Sequence, residues 1–372
     1  MTSSKHSKIL FILHLPPPTH GSSVVGKQIQ NSDKINSTFS CKYINLNTSK
    51  KISHIGRWNP SKFFSFFKIV FSTFVSCIFR RPDLCYLAIT AKGIAFLKDA
   101  VIALIVKAFG IKIVYHFHNK GVHLYSQKKL YNVFYKLVFK NSDAILLSKY
   151  LYPDIQRYFP KERIHICPNG IPEPKECNRG YNSHSNKIPR ILFISNLIES
   201  KGVLTLLNAC KILASQNIPF QGVFAGNEGD ISRKQLEEEI CNAKLEEHVK
   251  YVGAKYGEEK ERFFMESDVF AFPTFYDNEC FPLVLLEAQS FFLPSISTYE
   301  GGIPDIIDNE RTGFLIKKQN AEELAQKLQL LIENKDLRFQ MGQCAYQKYN
   351  RNFTLKIFEN SMTSIIVSLL NQ

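Results

Sequence analysis

Two carboxylates separated by eight positions are the most informative pair of residues in the chain. Glu279 and Glu287 lie within residues 278–289, which read N-E-C-F-P-L-V-L-L-E-A-Q. Pro282 suits the first turn of a helix, because its φ is fixed near the helical value and its missing N–H would have no partner there. The spacing predicts a helix that begins at Pro282, with Glu279 in the loop before it and Glu287 about five residues inside.

The start of that helix would form a site for an anion. The first N–H groups of a helix have no partner within it, and the positive end of the helix dipole lies there, so a diphosphate can bind. At 1.5 Å per residue, Glu287 would lie roughly 7.5 Å along the axis, where its carboxylate could accept both hydroxyls of a ribose. The pattern indicates a nucleotide site, although a loop acid followed by an ordinary mid-helix glutamate would have the same spacing.

A candidate cation, Lys201, lies in the segment I-S-N-L-I-E-S-K-G, between a predicted strand and the helix that follows it. Such a loop belongs at the carboxyl edge of a parallel sheet, where folds of this kind bind their ligands. The Lys201 ammonium would there neutralise the negative charge of a bound diphosphate.

The first half of the chain contributes further polar groups. Gly21 and Ser22 follow the first predicted strand in L-P-P-P-T-H-G-S-S, and backbone amides of this loop could approach a phosphate or an acceptor. Residues 115–121 read Y-H-F-H-N-K-G at the end of another strand, so the side chains of His116 and His118 point the same way. A His-x-His pair also occurs in zinc sites, but no third ligand is evident nearby.

The elements that must position these residues have the pattern of two α/β domains. A chain of 372 residues exceeds what one core usually holds, and 45% hydrophobic with 22% charged residues is ordinary for a globular protein. Short apolar runs alternate with helix-length segments, such as residues 93–109 and 128–140, which is typical of βαβ units on parallel sheets. Strands are predicted at residues 9–13, 84–88, 112–116, 144–147, 190–194, 221–225, 249–252, 269–272 and 294–297.

The predicted domain boundaries follow from composition. We expect a first Rossmann-like domain at residues 1–172 and a polar linker, rich in Asn and Ser, at residues 173–188. The second doubly wound domain is expected at residues 189–352. A final helix at residues 353–372 remains after the second sheet is complete, so it is expected to pack elsewhere.

The net charge of +14 is concentrated in the first half. Residues 1–170 contain 25 Lys and Arg against 6 Asp and Glu, whereas residues 171–372 contain 22 against 27. A basic half indicates an anionic partner, either nucleic acid or a membrane surface, but no nucleic-acid-binding motif is present. Residues 63–81 combine many phenylalanines with Lys68, Arg80 and Arg81, and could lie in a membrane interface or form a core helix with a charged edge.

Cysteine usage and the start of the chain indicate the compartment. The nine cysteines are scattered and form no C-x-x-C pair, so neither a disulfide framework nor a zinc site is expected, as in a reducing cytoplasm. The apolar run at residues 9–13 ends at prolines without a cleavage site and is predicted to be a strand, not a signal peptide. Because charged residues interrupt each long apolar segment, no segment is expected to span a membrane.

These motifs together resemble the retaining glycosyltransferases of family 4. The segment E-C-F-P-L-V-L-L-E-A looks like the E-x7-E motif of that family, and L-P-S-I-S-T, G-G-I-P-D-I-I and R-T-G-F-L follow it in the family's order. The resemblance covers most of residues 190–350 and, more loosely, the first half. It implies a GT-B fold, with two doubly wound Rossmann-like domains facing across a cleft and the C-terminal helix crossing back to the first domain.

The resemblance also implies roles for particular residues. Glu279 would bind hydroxyls of the transferred sugar, Glu287 the ribose, and His118 is the choice for a histidine that contacts the sugar. The family usually has an arginine where Asn196 stands, so one cation, Lys201, remains where two are expected. The implied set is Glu279, His118 and Lys201 for catalysis, and Glu287, Lys201, Asn196, Phe281, Pro282, Leu283, Gly21, Ser22 and Gly302 for the donor.

The function implied by the resemblance is transfer of a hexose or related sugar, with retention, in the synthesis of a bacterial surface polysaccharide or lipopolysaccharide. The donor would be a nucleoside-diphosphate sugar and the acceptor a glycan or lipid-linked glycan, with no metal or other cofactor. The enzyme would be cytoplasmic and peripheral on the inner membrane face, with no nucleic-acid partner. Two alternatives are a two-domain sugar-nucleotide epimerase or phosphorylase, and a non-catalytic nucleotide-binding subunit at the membrane.

Overall fold

The chain forms two compact α/β units. The computed structural model describes residues 6–47, 60–174 and 186–372, with the backbone alone for residues 60–62. The first unit comprises Met1–Asn169 together with Leu355–Gln372, and the second comprises Gly170–Thr354. Each contains a six-stranded sheet whose neighbouring strands all run parallel. The predicted fold class is confirmed, while most of the predicted linker, residues 175–185, lies outside the described residues.

The first sheet has the strand order β2-β1-β3-β4-β5-β6. Its strands are β1 Lys8–Leu13, β2 Ser40–Asn45, β3 Leu84–Ile89, β4 Lys112–Phe117, β5 Asp143–Leu146 and β6 Ile164–Ile166. The central strand β3 is buried along its whole length, as expected for a parallel strand covered by helices on both faces. The edge strands β2 and β6 were missed by the sequence analysis, because their partly exposed residues form no continuous apolar run.

Helices cover this first sheet. They are α1 Gly21–Asn31, α2 Asp33–Thr38, α3 Pro60–Val75, α4 Gly93–Ala108, α5 Val122–Tyr125, α6 Lys129–Phe139 and α7 Tyr152–Ile155. A turn of π-helix, Ser76–Arg80, continues α3. The observed bounds of α4 and α6 agree with the predicted segments to within one residue at each end.

The last helix of the chain, α15 (Leu355–Leu370), belongs to the first unit. One of its faces buries Phe358, Met362, Ile366 and Leu369 in a core that also contains residues of β1, β3 and β4. The Nζ of Lys112, on β4, donates a hydrogen bond to the backbone oxygen of Leu369 at 2.7 Å. This packing confirms the predicted return of the C-terminal helix to the first domain.

The second sheet has the strand order β12-β11-β10-β7-β8-β9. Its strands are β7 Arg190–Ile194, β8 Gln221–Ala225, β9 Val249–Tyr251, β10 Val269–Ala271, β11 Ser295–Thr298 and β12 Gly313–Ile316. Strand β8 follows β7 on one side and β10 pairs with β7 on the other, so the direction of winding reverses between β7 and β10. Open α/β sheets bind ligands at the carboxyl ends of the strands at such a switch point.

The helices of the second unit include the one predicted from the paired carboxylates. They are α8 Val203–Ser215, α9 Arg233–Asn242, α10 Gly257–Met265, α11 Leu283–Ser290, α12 Ile303–Ile306, α13 Ala321–Glu333 and α14 Lys335–Asn352. Helix α11 begins one residue later than predicted. Pro282 is its N-cap, with a ψ of 118° that is extended and not helical.

One helix of the described residues is long and apolar enough to cross a membrane by length and composition alone. It spans Phe63–Arg80, which is 18 residues, and only 22% of it is buried. The expectation that no segment reaches this threshold was therefore wrong, because the many phenylalanines outweigh the two charged residues of the span, Lys68 and Arg80.

Candidate active site

The switch point of the second sheet brings together two of the predicted catalytic residues. Lys201 ends a 3-10 turn, Glu199–Lys201, that follows β7, and Glu279 lies in the loop that follows β10. The Nζ of Lys201 lies 2.5 Å from Oε2 of Glu279. Both side chains are largely buried, with 16% and 10% of their surfaces exposed. An ammonium and a carboxylate with little access to water therefore meet at the predicted ligand-binding edge of the sheet.

Aromatic rings hold the Lys201 ammonium in place. Its Nζ lies 4.4 Å from the ring centroid of Tyr276 and 5.6 Å from that of Phe272, within the range of cation–π attraction. The backbone N–H of Phe275 donates to the backbone oxygen of Ser200 at 2.7 Å, which ties the loop after β10 to the turn that carries the lysine. The position of this cation is therefore fixed by both loops.

A glycine pair allows a third loop to approach Glu279. Gly301 follows β11 with a φ of +53°, and a Cβ built on it would lie 2.2 Å from the backbone oxygen of Glu279. The N–H of Gly302 donates to the backbone oxygen of Cys280 at 2.6 Å. Since a side chain at position 301 would collide with backbone, it would displace the loop that holds Glu279.

Glu287 lies on α11 and is held by a lysine that the sequence analysis missed. The Nζ of Lys260, on α10, donates to Oε1 of Glu287 at 2.7 Å and to Oε2 at 2.6 Å. The two residues are 27 positions apart, so no local pattern links them. About a quarter of each side chain is exposed, which leaves this ion pair accessible to a ligand.

The start of α11 has the geometry of an anion site through its backbone. The Phe281 side chain is buried and its ring lies 5.7 Å from that of Phe353, so it serves the core. Pro282 has no N–H, and the helical N–H groups begin at Leu283. Of the three predicted donor contacts here, only the backbone of Phe281 and Leu283 can therefore donate hydrogen bonds.

Asn196 belongs to a neutral polar cluster at the carboxyl ends of β7 and β8. The Nδ2 of Asn227 donates to Oδ1 of Asn196 at 3.3 Å and to the hydroxyl of Tyr256 at 2.7 Å. Tyr256 is 66% exposed. Asn227 and Tyr256 were not predicted, although Asn227 lies two residues after β8 in A-G-N-E-G, just as Asn196 lies two residues after β7.

Four histidines lie near the carboxyl edge of the first sheet. The rings of His116 and His118, at the end of β4, are 4.1 Å apart, and those of His14 and His20, after β1, are 5.7 Å apart. The hydroxyl of Tyr86 lies 2.5 Å from Nδ1 of the buried His116. Within residues 6–47, 60–174 and 186–372, no group of three His, Cys, Asp or Glu side chains is placed to hold a metal ion.

The predicted loop contacts Gly21 and Ser22 lie in this first unit. Gly21 opens α1, and Oγ of Ser22 lies 3.1 Å from Nδ1 of His20. Gly26, which was not predicted, is the glycine of this loop and helix that the packing requires. A Cβ on Gly26 would lie 2.0 Å from the backbone oxygen of His14, whereas a Cβ on Gly21 would meet nothing within 4 Å. Helix α1 therefore packs directly against the end of β1 at Gly26, and a contact from Gly21 to a ligand stays a prediction.

Desolvation lowers the pKa of each of these four histidines. Desolvation, followed by the charges of His14 and His20, lowers the pKa of His118 to about 3. Desolvation lowers the pKa of His20 to about 4, with a further contribution from His14. The pKa of His14 is lowered and that of His116 is far lower, in both cases mainly by burial.

Acid should destabilise the first unit through these groups. Between the unfolded pKa of about 6.5 and the lowered folded values, the unfolded chain binds protons that the folded chain does not, so stability falls as the pH falls. Each histidine that stays neutral down to pH 5 should contribute a loss on the order of 2 kcal/mol. We expect urea denaturation, followed by circular dichroism, to show a lower midpoint at pH 5 than at pH 7.

A His118→Gln variant removes one titrating group and should show a smaller decrease between the two pH values, with His123→Gln, at an exposed position, as its matched control. An equal midpoint at pH 7 and pH 5 in the unmodified chain would show that these histidines bind protons without loss of the fold.

The fold and the switch-point ion pair define a protein of two Rossmann-like units. A glycosyltransferase from Rickettsia africae ESF-5 matches the structure with a TM-score of 0.76 at 18% identity, over 98% of this chain and 99% of that one. Anabaena Alr3699/HepE in complex with UDP and glucose matches with a TM-score of 0.71 at 18% identity, over 98% and 100%. At these identities the likeness shows the fold alone, which is GT-B.

Sequence comparison finds similarity mainly in the second unit. Residues 175–348 match the family model described as Glycosyl transferases group 1. The amylovoran biosynthesis glycosyltransferase AmsK of Erwinia amylovora is 35% identical over 170 residues, which cover 45% of this chain and 41% of that protein. The putative colanic acid biosynthesis glycosyltransferase WcaL of Escherichia coli K12 is 26% identical over 267 residues, 69% of this chain and 64% of that one. The matches thus span less than two thirds of each relative.

Proposed function

We propose that the chain is a retaining glycosyltransferase of family 4 that moves a sugar from a nucleoside diphosphate to a glycan or lipid-linked glycan. The observation that carries this proposal is the contact between Lys201 and Glu279 at the switch point of the second sheet. A transferred sugar and its diphosphate are covalently joined, so the groups that bind them must be neighbours. A cation and a carboxylate 2.5 Å apart meet that requirement.

The ion pair retains capacity to bind the donor. An ammonium has three N–H donors, and a carboxylate offers about four lone-pair positions, so one mutual hydrogen bond leaves most of both sets unused. In the proposed complex Glu279 accepts from sugar hydroxyls, Lys201 donates to the diphosphate, and the first amides of α11 bind the same diphosphate.

Glu287 is the proposed ribose ligand. Its carboxylate is oriented by Lys260, which contacts both oxygens. Each oxygen retains a lone pair for one of the two adjacent ribose hydroxyls. Lys260 therefore acts as a positioning residue for the proposed ribose ligand.

The proposed reaction needs no side chain as nucleophile. The bond between the anomeric carbon and the diphosphate oxygen breaks, and the diphosphate takes the electron pair. The acceptor hydroxyl forms its bond to the anomeric carbon on the same face, and its proton passes to the diphosphate. Lys201 stabilises the negative charge that develops on this leaving group, and no metal is required.

The names of similar proteins guide the choice of substrates. HepE of Anabaena was solved in complex with UDP-glucose, which makes UDP-sugars the first donors to test. The relatives AmsK and WcaL are named for the synthesis of amylovoran and colanic acid. We therefore propose a growing surface polysaccharide, or its lipid-linked precursor, as the acceptor.

The test of the donor site is a thermal-shift titration with UDP- and GDP-sugars. A donor that binds the folded chain raises its apparent melting temperature in relation to its affinity. Glu287→Gln should weaken that donor's affinity by about tenfold or more, because a hydrogen bond to a charged group contributes about 1.5–3 kcal/mol. Lys260→Met should weaken affinity in the same direction, since it removes the group that orients Glu287.

Glu259→Gln is the matched control for this test, because Glu259 lies on the same helix as Lys260 and pairs with Lys255 instead. If no donor shifts the melting temperature, or Glu287→Gln binds as tightly as the unmodified chain, the proposed donor site is wrong. Conversion of a labelled donor to an isomer, with no transfer to any acceptor, would instead indicate the epimerase.

A further inference from the structure

Helix α3 and the π-turn after it present their apolar face to solvent. The side chains that this segment buries include Ile69, Thr73, Ser76 and Cys77, of which two carry hydroxyls. Its most exposed side chains are aromatic: Phe64 is 76% exposed, Phe71 69% and Phe79 81%. A helix on the surface of a globular protein normally has the opposite arrangement, with its polar face outward.

Five of the exposed apolar side chains of this segment form one stripe. Phe64, Phe67, Phe71, Phe74 and Ile78 follow one another at intervals of three or four residues, which places them on the same side of a helix. All five side chains are exposed to solvent; Phe67, for example, is 52% exposed. A contiguous apolar surface of this kind marks a site that another apolar medium covers.

The same surface extends over neighbouring helices. Helix α4 packs beside α3, and α6 packs beside α4, so the three helices form one layer on the first sheet. The Phe74 ring lies 5.5 Å from that of Phe109, which follows α4. Further exposed apolar side chains in this layer are Ile94, Val101, Leu130, Val133 and Leu137.

The exposed charges of this layer are mainly positive and favour an anionic partner. Lys68 and Arg81 are exposed beside the aromatic stripe, and α6 adds the exposed Lys129 and Lys136. The acids of residues 60–140 are Asp83 and Asp99. Asp99 is fully buried, and Asp83 accepts a hydrogen bond from the backbone N–H of Lys8.

We infer that the α3–α4–α6 layer docks in the plane of an anionic phospholipid leaflet, with the α3 phenylalanines inserted between lipids. Exposed phenylalanines flanked by Lys and Arg form the composition of an interfacial helix, whose apolar face sinks about 5–10 Å into the boundary of headgroups and acyl chains. Each basic residue near such a surface gains attraction from the negative headgroups.

The helix lies in the membrane surface and does not cross the bilayer. The Arg80 guanidinium donates to the backbone oxygen of Ser40 at 2.7 Å and to its Oγ at 2.9 Å. The Nζ of Lys8 donates to the backbone oxygen of Arg80 at 3.1 Å. These bonds fix the end of the helix to β2 and β1, and spanning would require the whole segment to leave the fold.

Vesicle flotation of the full chain tests this inference without donor or acceptor, so its result is independent of the proposed transfer reaction. We expect binding to phosphatidylcholine vesicles that contain phosphatidylglycerol, weaker binding to pure phosphatidylcholine, and a decrease with added salt. The triple variant Phe64→Ser, Phe67→Ser, Phe71→Ser should lower the vesicle partition coefficient at least about tenfold.

Two further variants complete the test. Lys68→Gln with Arg81→Asn should weaken the preference for anionic vesicles, because Lys129 and Lys136 remain; asparagine is chosen because position 81 has a φ of +49°. Leu330→Ser with Phe339→Ser, at exposed positions of the second unit, should bind as the unmodified chain does. The inference is overturned if the triple variant, folded by circular dichroism, binds vesicles normally. It is equally overturned if the unmodified chain does not bind vesicles and instead forms a dimer that the triple variant cannot form.

Discussion

Replacing Lys201 with methionine is expected to lower kcat/KM for sugar transfer by about two to three orders of magnitude, the effect typical of removing one group that stabilises developing negative charge. Methionine retains the apolar stem that packs near Tyr276 but removes the ammonium. The diphosphate would then leave without the cation that lies 2.5 Å from Glu279. Initial rates with the donor found by thermal shift, at several donor concentrations, measure the change.

Lys255→Met is the matched control, because that lysine pairs with Glu259 on the surface of the second unit. Lys201→Met also leaves the carboxylate of Glu279 largely buried without its cation, so the melting temperature of each variant must accompany its rate. Transfer at the unmodified rate by a folded Lys201→Met protein would contradict the assigned role.

The central strands of both sheets and the edge strand β9 were predictable from sequence, whereas the edge strands β2, β6 and β12 were not. Strands such as β3 and β7 are buried and read as continuous apolar runs. The edge strand β2 has a mixed sequence, S-C-K-Y-I-N, that depends on its pairing with β1 for its conformation. Tertiary pairing decides such segments, because strand propensity depends strongly on the neighbours.

The candidate site shows a similar division. Glu279 and Lys201 could be found because each follows a strand at a position that motif and topology specify together. In contrast, Lys260 contacts Glu287, and Asn227 contacts Asn196 and Tyr256, across separations of 27 to 31 residues that have no local pattern. Helix α11 begins one residue later than predicted for a local reason. Pro282 has an extended ψ and is the N-cap of the helix, not its first residue.

The sequence alone could not predict which face of α3 is exposed to solvent. Its composition fitted a core helix and an interfacial helix equally, because both require a run of phenylalanines. Only the burial of Thr73 and Ser76, together with the exposure of Phe64 and Phe71, shows that the aromatic face points outward.

Glu279 offers the second large effect, because it contacts Lys201 and is proposed to bind the sugar. Glu279→Gln retains the size of the side chain and one carbonyl acceptor but removes the charge. We expect kcat to fall by about ten- to a hundredfold, since charged hydrogen bonds of about 1.5–3 kcal/mol are weakened in the transition state. Glu279→Ala should cost more, because the sugar hydroxyls then lose their acceptor altogether.

Combining Glu279→Gln with Lys201→Met separates the two roles of the carboxylate. If Glu279 acts mainly by holding the lysine, adding Glu279→Gln to Lys201→Met should cause almost no further loss of activity. If Glu279 binds the sugar directly, the double variant should lose more activity than Lys201→Met alone, by a factor that approaches the effect of Glu279→Gln by itself. We expect the second result, with part of the effect shared, because an ion pair of 2.5 Å must couple the two residues to some extent. A double variant as active as Lys201→Met alone would reduce Glu279 to a positioning residue.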